Sequence, residues 1–295
     1  MKSPAFDYIK PRSLGQVFDL LAEYGDEARL LAGGQTLLAT LNMRLSEPSL
    51  LIDINQIESL KGIELVDGAL RIGALARHAE IEASALVAQH APLMSVAAPH
   101  IAHRAIRNLG TFGGSLAYAD PAAEWPACAL ALDATIIARS VEGERRIPAA
   151  QFFLDLYTTA LRPGEIIVAC DIPLCAQGGI QGFDELARRH GDYAIVGLAF
   201  AARRNDTALS NVRLSFLGLG STPWRAIATE RFLEGKPIDN ALLDQAASKL
   251  CEELTGEREP LADLTNSSST KRHLASVLLR RVVKATCLAP AARQA

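Results

Sequence analysis

The pattern that most constrains this chain is an alternation: short apolar, β-branched runs end at glycine or proline and are separated by stretches with helical spacing of apolar residues. It excludes an all-helical chain and calls for helices packed on sheet, an α/β or α+β fold. The first unit is compact. Leu14, Val17, Phe18, Leu20 and Leu21 share one helical face behind Ser13, a residue suited to cap the first turn. Ala28-Arg29-Leu30-Leu31-Ala32 reads as a strand running into Gly33-Gly34, residues 36–45 as a helix, and Leu50-Leu51-Ile52-Asp53-Ile54 as a second strand. Strand, glycine turn, helix, strand is a βαβ-like unit.

A second block opens with a strand at Leu70-Arg71-Ile72-Gly73-Ala74. The spacing predicts helices over 78–88 and 93–108, then a glycine loop at Gly110. Asp120-Pro121 opens a further helix, with aspartate as cap and proline in the first turn. Strands are predicted over 134–139 and 165–172, and the charge-rich Glu142-Gly143-Glu144-Arg145-Arg146 as a solvated hairpin. Pro173 followed by Gly178-Gly179 marks the best linker, which puts a domain boundary near Cys175. Beyond it, residues 193–203 and 210–219, with helices from Ala226, from Ala241 and over 270–286, form a small sheet backed by helices. Asn266-Ser267-Ser268-Ser269 is expected as a mobile loop.

With 295 residues, 49% of them hydrophobic, the chain can bury one large core or two modest ones. A net charge of -3 provides no basic stripe for nucleic acid or anionic membrane. No apolar run is long enough to span a bilayer, and Met1-Lys2-Ser3-Pro4-Ala5 does not open like a secretory signal, so a cytoplasmic protein is expected. The five cysteines, at 128, 170, 175, 251 and 287, are scattered without a C-x2-C pair, which argues against a disulfide framework, a zinc ribbon or an iron–sulfur cluster in this chain. His100 and His103 lie three apart on a predicted helix, but no third ligand accompanies them, and no metal site is expected. Arg104 and Arg107 continue that helix, where structural, subunit-facing and cofactor roles are all open.

Two glycine loops carry the chemistry. In Ala32-Gly33-Gly34-Gln35-Thr36-Leu37, adjacent glycines let a bulky anion approach the backbone amides, and the following helix adds its first NH groups. Gly110-Thr111-Phe112-Gly113-Gly114-Ser115 has the same composition some eighty residues later, and two such loops can clamp one pyrophosphate. Neither loop has the G-x-x-x-x-G-K-[ST] spacing of a nucleotide-hydrolysing P-loop or the G-x-G-x-x-G spacing of a nicotinamide-binding fold.

The order of these segments resembles the medium subunit of the xanthine dehydrogenase and carbon monoxide dehydrogenase family. The resemblance runs from Ala32-Gly33-Gly34-Gln35-Thr36 through Leu51-Ile52-Asp53-Ile54 and Ile72-Gly73-Ala74 to the most specific stretch, Ile106 to Ser115 and Ala119-Asp120-Pro121-Ala122-Ala123-Glu124. It continues through Gly191-Asp192-Tyr193-Ala194 and Gly220-Ser221-Thr222-Pro223-Trp224-Arg225-Ala226. It implies an α+β chain: a two-part FAD-binding domain of the vanillyl-alcohol-oxidase type over 1–175, with subdomains of about 1–60 and 61–175, and a smaller α+β domain of the CO dehydrogenase flavoprotein type over 176–295. It further implies that Ala32, Gly33, Gly34, Gln35, Thr36 and Leu37, with Gly110, Thr111, Gly113, Gly114 and Ser115, hold the FAD pyrophosphate. Ile101 and Ala102 would line the adenine, Asp120 or Glu124 would accept from ribityl or ribose hydroxyls, Ile167 would pack beside the cofactor, and Tyr193 would cover one face of the isoalloxazine. Three departures from the family pattern stand out: Phe112 for a smaller aliphatic residue, Ser115 for an asparagine, and Asp184 or Glu185 near a position that can be lysine.

Bland roles stand beside these. Asp120 suits a helix cap, a role compatible with a cofactor contact; Glu124 reads as a helix carboxylate on a partly buried face, and Tyr193 as a strand aromatic. The resemblance implies an electron-transfer subunit that takes electrons from [2Fe-2S] clusters in a small partner subunit and passes them through FAD to an external acceptor. A large partner subunit would hold the molybdenum cofactor, in a dimer of heterotrimers, and no catalytic base is needed in this chain. The alternative is a self-sufficient flavin oxidase of a small alcohol or amine, which would require a base and a substrate pocket against the flavin.

Overall fold

The computed structural model describes residues 2–288; Met1 and residues 289–295, the outermost ends of the two expected domains, lie outside the described residues. The N-terminal part places β1 (Asp7–Ile9), α1 (Leu14–Tyr24), β2 (Ala28–Leu31), α2 (Leu37–Asn42) and β3 (Leu50–Asp53) in succession. The fully buried β3 lies between β1 and β2 and parallel to both, so β2, α2 and β3 are the expected βαβ unit. Ser13 caps α1, accepting from the Gln16 amide at 3.3 Å, and Val17 and Phe18 are its buried face. The helix predicted over 36–45 is shorter, six residues, because the chain turns at Met43 and takes a left-handed conformation at Arg44.

The second sheet is antiparallel. It starts with the hairpin β4 (Ile63–Val66) and β5 (Ala69–Gly73), of which β4 carries too few buried residues to stand out in the sequence. The connection that follows is helical: α3 (His78–Ala83), α4 (Ala85–His90), α5 (Pro92–Ala97), α6 (Arg104–Arg107), α7 (Phe112–Tyr118) and α8 (Glu124–Ala131). The chain then returns through β6 (Thr135–Ser140), β7 (Gly143–Pro148), α9 (Ala149–Phe152), the small hairpin β8 (Phe153–Asp155) and β9 (Thr158–Thr159), and β10 (Ile166–Pro173). The sheet order is β4-β5-β10-β6-β7, and the β6–β7 hairpin is solvated at its tip.

Three predicted helices are corrected here. The helix expected over 78–88 is two, because Ser84 is extended and its hydroxyl caps α4 through the Val87 amide. The helix expected over 93–108 stops at a 3-10 turn at Ala98–His100, where Pro99 has no amide to give, and resumes at α6 after Ala102 has turned to φ 43°. His100 and His103 therefore do not share a helix. The helix expected from Asp120 begins at Glu124; Asp120 instead accepts from the Ala122 amide at 2.9 Å in the turn before it.

The last part is a four-stranded antiparallel sheet, β11 (Gly179–Leu186), β12 (Val196–Asn205), β13 (Ala208–Leu217) and β14 (Trp224–Arg225), backed by α10 (Ile227–Leu233), α11 (Asn240–Glu253) and α12 (Ser268–Cys287). Gly179 already belongs to β11, which shortens the expected linker. Ser267 caps α12 and Ser268 and Ser269 lie in its first turn, so the expected mobile loop is a helix start. The period-two alternation of β12 sorts its side chains. Val196, Leu198, Phe200 and Ala202 enter the core shared with α11 and α12, while Ala199 and Ala201 enter the core shared with α5 and α8. No helix among the described residues is long and apolar enough to cross a membrane.

Candidate functional site

The two glycine loops meet. A Cβ on Gly33 would run into the Leu109 carbonyl and lie 2.8 Å from the Gly110 Cα, so backbone touches backbone here and only glycine fits. Gly34 adopts φ 70° beside it, and the chain turns into α2. Across this turn the amides of Gly33, Gly34, Gln35, Thr36 and Leu37 donate to no acceptor among the described residues, and neither does the Thr36 hydroxyl. Gln35 folds back instead, donating through Nε2 to the Gly33 carbonyl at 2.9 Å. Unpaired amides converging on a partly exposed turn are an anion cradle. Because α2 has fewer than two turns, its separate NH groups matter more than its dipole.

The second loop differs from the first. Gly113 and Gly114 lie in the first turn of α7, capped by Thr111, whose Oγ1 accepts from the Gly114 amide at 3.2 Å. The Phe112 and Gly113 amides donate to the Ala76 and Ala74 carbonyls at 2.9 and 2.8 Å, and the Ser115 amide to the Thr111 carbonyl at 3.1 Å. Within 111–115 the Thr111 amide is therefore the one without a protein acceptor among the described residues, joined by the Ser115 hydroxyl. Gly113 is small for packing: its Cβ would sit 2.6 Å from that of Ala74. Gly110 likewise makes room for His78, whose Nε2 would lie 2.6 Å from an added Cβ. Buried His78 accepts the Trp125 indole N–H on Nδ1 at 2.9 Å, and desolvation first, then Arg77 and Arg107, push its pKa down to about 4.

A polar chain that the sequence did not single out ties the loops together. Tyr8 donates to Asp53, Asp53 accepts the Asn55 side-chain and backbone NH groups at 2.7 and 2.9 Å, and Asn55 donates to the Ala32 carbonyl at 2.8 Å. Arg77 completes it, donating to Asn55 Oδ1 at 2.6 Å and to the Leu109 carbonyl. Arg107, 8% exposed, braces the third segment: it donates to the Ile101 and Ala102 carbonyls at 3.0 and 3.1 Å, to Pro99, and to Glu82 at 2.9 Å. That grip holds the left-handed Ala102 and buried Ile101 in place. Ile167 sits in β10 at 6% exposure, next to a bulge opposite Ala138.

At the far end, Asp120, Glu124 and Tyr193 gather with Tyr118 and Tyr157, whose rings are 5.0 Å apart. Tyr193 is 68% exposed and so is no core aromatic; desolvation around its hydroxyl and the charge of Asp120 push that group up to about 12. Its loop is seated by Gly191, φ 86°, against the His103 ring, where a side chain would come within 2.7 Å of Nδ1. Desolvation also raises the Asp120 carboxyl and pushes Glu124 to about 7. Tyr118 and Tyr157 carry no motif, since a helix end and a hairpin tip bring them together. Of the residues expected at the cofactor, Gly33 thus meets Leu109 and Gly110 at the amide cradle, while Asp120, Glu124 and Tyr193 gather in a second cluster.

Residues 4–175 match the family described as FAD binding domain in molybdopterin dehydrogenase, and residues 181–286 match the CO dehydrogenase flavoprotein C-terminal domain. The chain is 39% identical to the 6-hydroxypseudooxynicotine dehydrogenase complex subunit alpha of Paenarthrobacter nicotinovorans, over 96% of this chain and 95% of that one. Its fold matches a chain of carbon monoxide dehydrogenase from Hydrogenophaga pseudoflava with a TM-score of 0.92 at 34% identity, covering 97% and 98% of the two chains. It matches quinoline 2-oxidoreductase from Pseudomonas putida 86 with a TM-score of 0.91 at 36% identity, covering 98% and 99%. The chain belongs to the family of FAD-binding medium subunits of molybdenum-dependent dehydrogenases.

Proposed function

We propose that this chain is the flavoprotein subunit of a molybdenum hydroxylase complex, holding one FAD without a covalent bond. The observation that carries the reading is the run of unpaired amides from Gly33 to Leu37, wedged against Leu109 and Gly110. Those amides, with Thr111 N–H and the Ser115 hydroxyl, would take the pyrophosphate oxygens. Ile101 and Ala102 would line the adenine, Asp120 or Glu124 would receive sugar or ribityl hydroxyls, Ile167 would pack alongside, and Tyr193 would lie over the ring. FAD supplies the exchange between one-electron and two-electron transfer; the protein binds, orients and shields it.

In this reading 1–175 is the FAD-binding domain, divided near residue 60, and 176–295 the C-terminal domain. Electrons come from [2Fe-2S] clusters of a small partner subunit, hydroxylation takes place at molybdenum in a large one, the assembly is a dimer of heterotrimers, and an external acceptor takes the electrons. The test begins with the purified chain, which should be yellow and should release all its flavin on acid precipitation. Its flavin should be reduced by dithionite, whereas the organic substrate of the complex should reduce it only after both partner subunits are restored. Turnover of a small alcohol or amine by the isolated chain would establish a self-sufficient oxidase instead.

A further inference from the structure

Glu185 is a buried carboxylate without a counter-charge. It lies on β11, its side chain 6% exposed, and its Oε2 finds no hydrogen-bond donor. The nearest basic atom is His100 Nδ1, 3.9 Å from Oε1, beyond hydrogen-bond reach. His100 is itself desolvated and T-stacked on Phe183, which lowers its pKa and makes it a poor cation. Facing Glu185 from α8 are Glu124 and Cys128; from its own strand comes Asp184, which is engaged by Arg281 of α12 at 2.6 Å; His190 lies beyond His100. Glu124 has no ion-pair partner among the described residues, and its other neighbours are Asp120 and Tyr193. A desolvated carboxylate without a cation or donors is relieved by taking up a proton. Consistently, desolvation, offset in part by its own backbone N–H and reinforced by Asp120, pushes Glu124 to about 7, and desolvation first and the charge of Glu124 second push Glu185 to about 8.

We propose that Glu124 and Glu185 form a cation-free carboxyl pair that carries a proton in the resting protein and exchanges it with the flavin-ring site beside Tyr193. The inference rests on the FAD reading for its second half only. When two electrons reach the ring from a one-electron donor of the iron–sulfur class, the pair's O–H gives one proton to the ring and is left one negative charge richer. Any second proton comes from water, and reoxidation returns the first to the pair.

Two measurements test the halves separately. Infrared spectra of the full chain should show a carboxylic-acid carbonyl band at about pH 6 that disappears by about pH 9, and Glu185→Gln should remove or shift it; carboxylate bands alone at the lower pH would overturn the pair whether or not flavin is present. In the FAD-loaded chain, the midpoint potential plotted against pH should change slope between about pH 7 and 8. Both Glu124→Gln and Glu185→Gln should abolish that break. An unchanged profile in both variants would overturn the exchange with the ring, and a chain that holds no FAD would sink the cofactor assignment while leaving the infrared result standing.

Discussion

At the residue scale, glycines with the same neighbours in sequence have different duties. Gly33 touches the backbone of Leu109 and Gly110, and neither can swing aside, whereas a Cβ on Gly114 meets only the Thr111 hydroxyl at 2.7 Å. Gly33→Ala should therefore part the loops and weaken FAD binding at least tenfold, about 1.4 kcal/mol. Gly114→Ala should cost about 1 kcal/mol of stability through its cap and retain the flavin. Flavin-fluorescence titrations of both variants check the ranking, and equal affinities would contradict it. His78 gives a pH signature. Its pKa is depressed from the ordinary 6.5 to about 4, so the native state resists a proton that the unfolded chain accepts. The contribution is fully present above about pH 6.5 and is lost as pH falls toward 4, by about 3 kcal/mol in all. NMR should find this imidazole still neutral at about pH 5, and protonation there would refute the burial argument.

At the element scale, the strands β2, β3, β5, β6, β10, β12 and β13 and the first loop were legible because each leaves a local mark, an apolar run or a glycine pair at a strand terminus. In contrast, β1, β4 and β11 bury too few side chains to do so. The breaks within the helical connection were harder, because the apolar spacing of 78–108 continues through Ser84 and Ala102 while the backbone does not. Ser84 ends one helix by capping the next, and the turn at Ala102 is held by Arg107, a contact five residues along that no periodicity encodes. For the same reason the second loop resembled the first: composition reports glycine and hydroxyl residues, but the partners of the Phe112 and Gly113 amides, Ala76 and Ala74, both come from the turn after β5. Asn55 and Arg77 escaped notice because their roles exist only once two distant segments meet. Arg107→Met should leave the Pro99, Ile101 and Ala102 carbonyls unpaired and Glu82 with Arg104 at 3.4 Å as its remaining partner, at a cost of roughly 2–4 kcal/mol. Urea unfolding measures it, and a loss under about 0.5 kcal/mol would mean that the turn holds without its brace.

At the scale of the whole molecule, a boundary near Cys175 separates stretches of sequence more cleanly than it separates cores. One face of the last sheet is built into the FAD-binding part: Phe183, Ala199, Ala201 and Leu217, with Ala194 of the loop before β12, share a core with Leu93, Met94, Trp125 and Ala129. Polar seams run along the same junction, from the Leu93 amide to Gln181 Oε1 at 2.8 Å, from the Gly218 amide to the Pro121 carbonyl at 2.8 Å, and from Arg213 to Asp133 at 3.0 Å. Tyr193 of the last part feels the charges of Asp120 and Glu124 of the first, so the end of the site proposed for the flavin ring draws on both parts. A fragment of residues 1–175 would expose the apolar faces of α5 and α8 and leave the Tyr193 end of the site unbuilt, even though the amide cradle lies wholly within it. The full chain should then unfold in one cooperative transition, with tryptophan fluorescence from Trp125 and Trp224 and far-UV circular dichroism giving the same midpoint. Added FAD should raise that midpoint as a unit, by a stabilisation of about 2.7 kcal/mol at a hundredfold excess over its dissociation constant. The 1–175 fragment should aggregate or bind FAD at least tenfold more weakly than the full chain. Two separated transitions, or a soluble fragment with undiminished affinity, would show that the FAD-binding part stands alone and that the last sheet is an appendage to it.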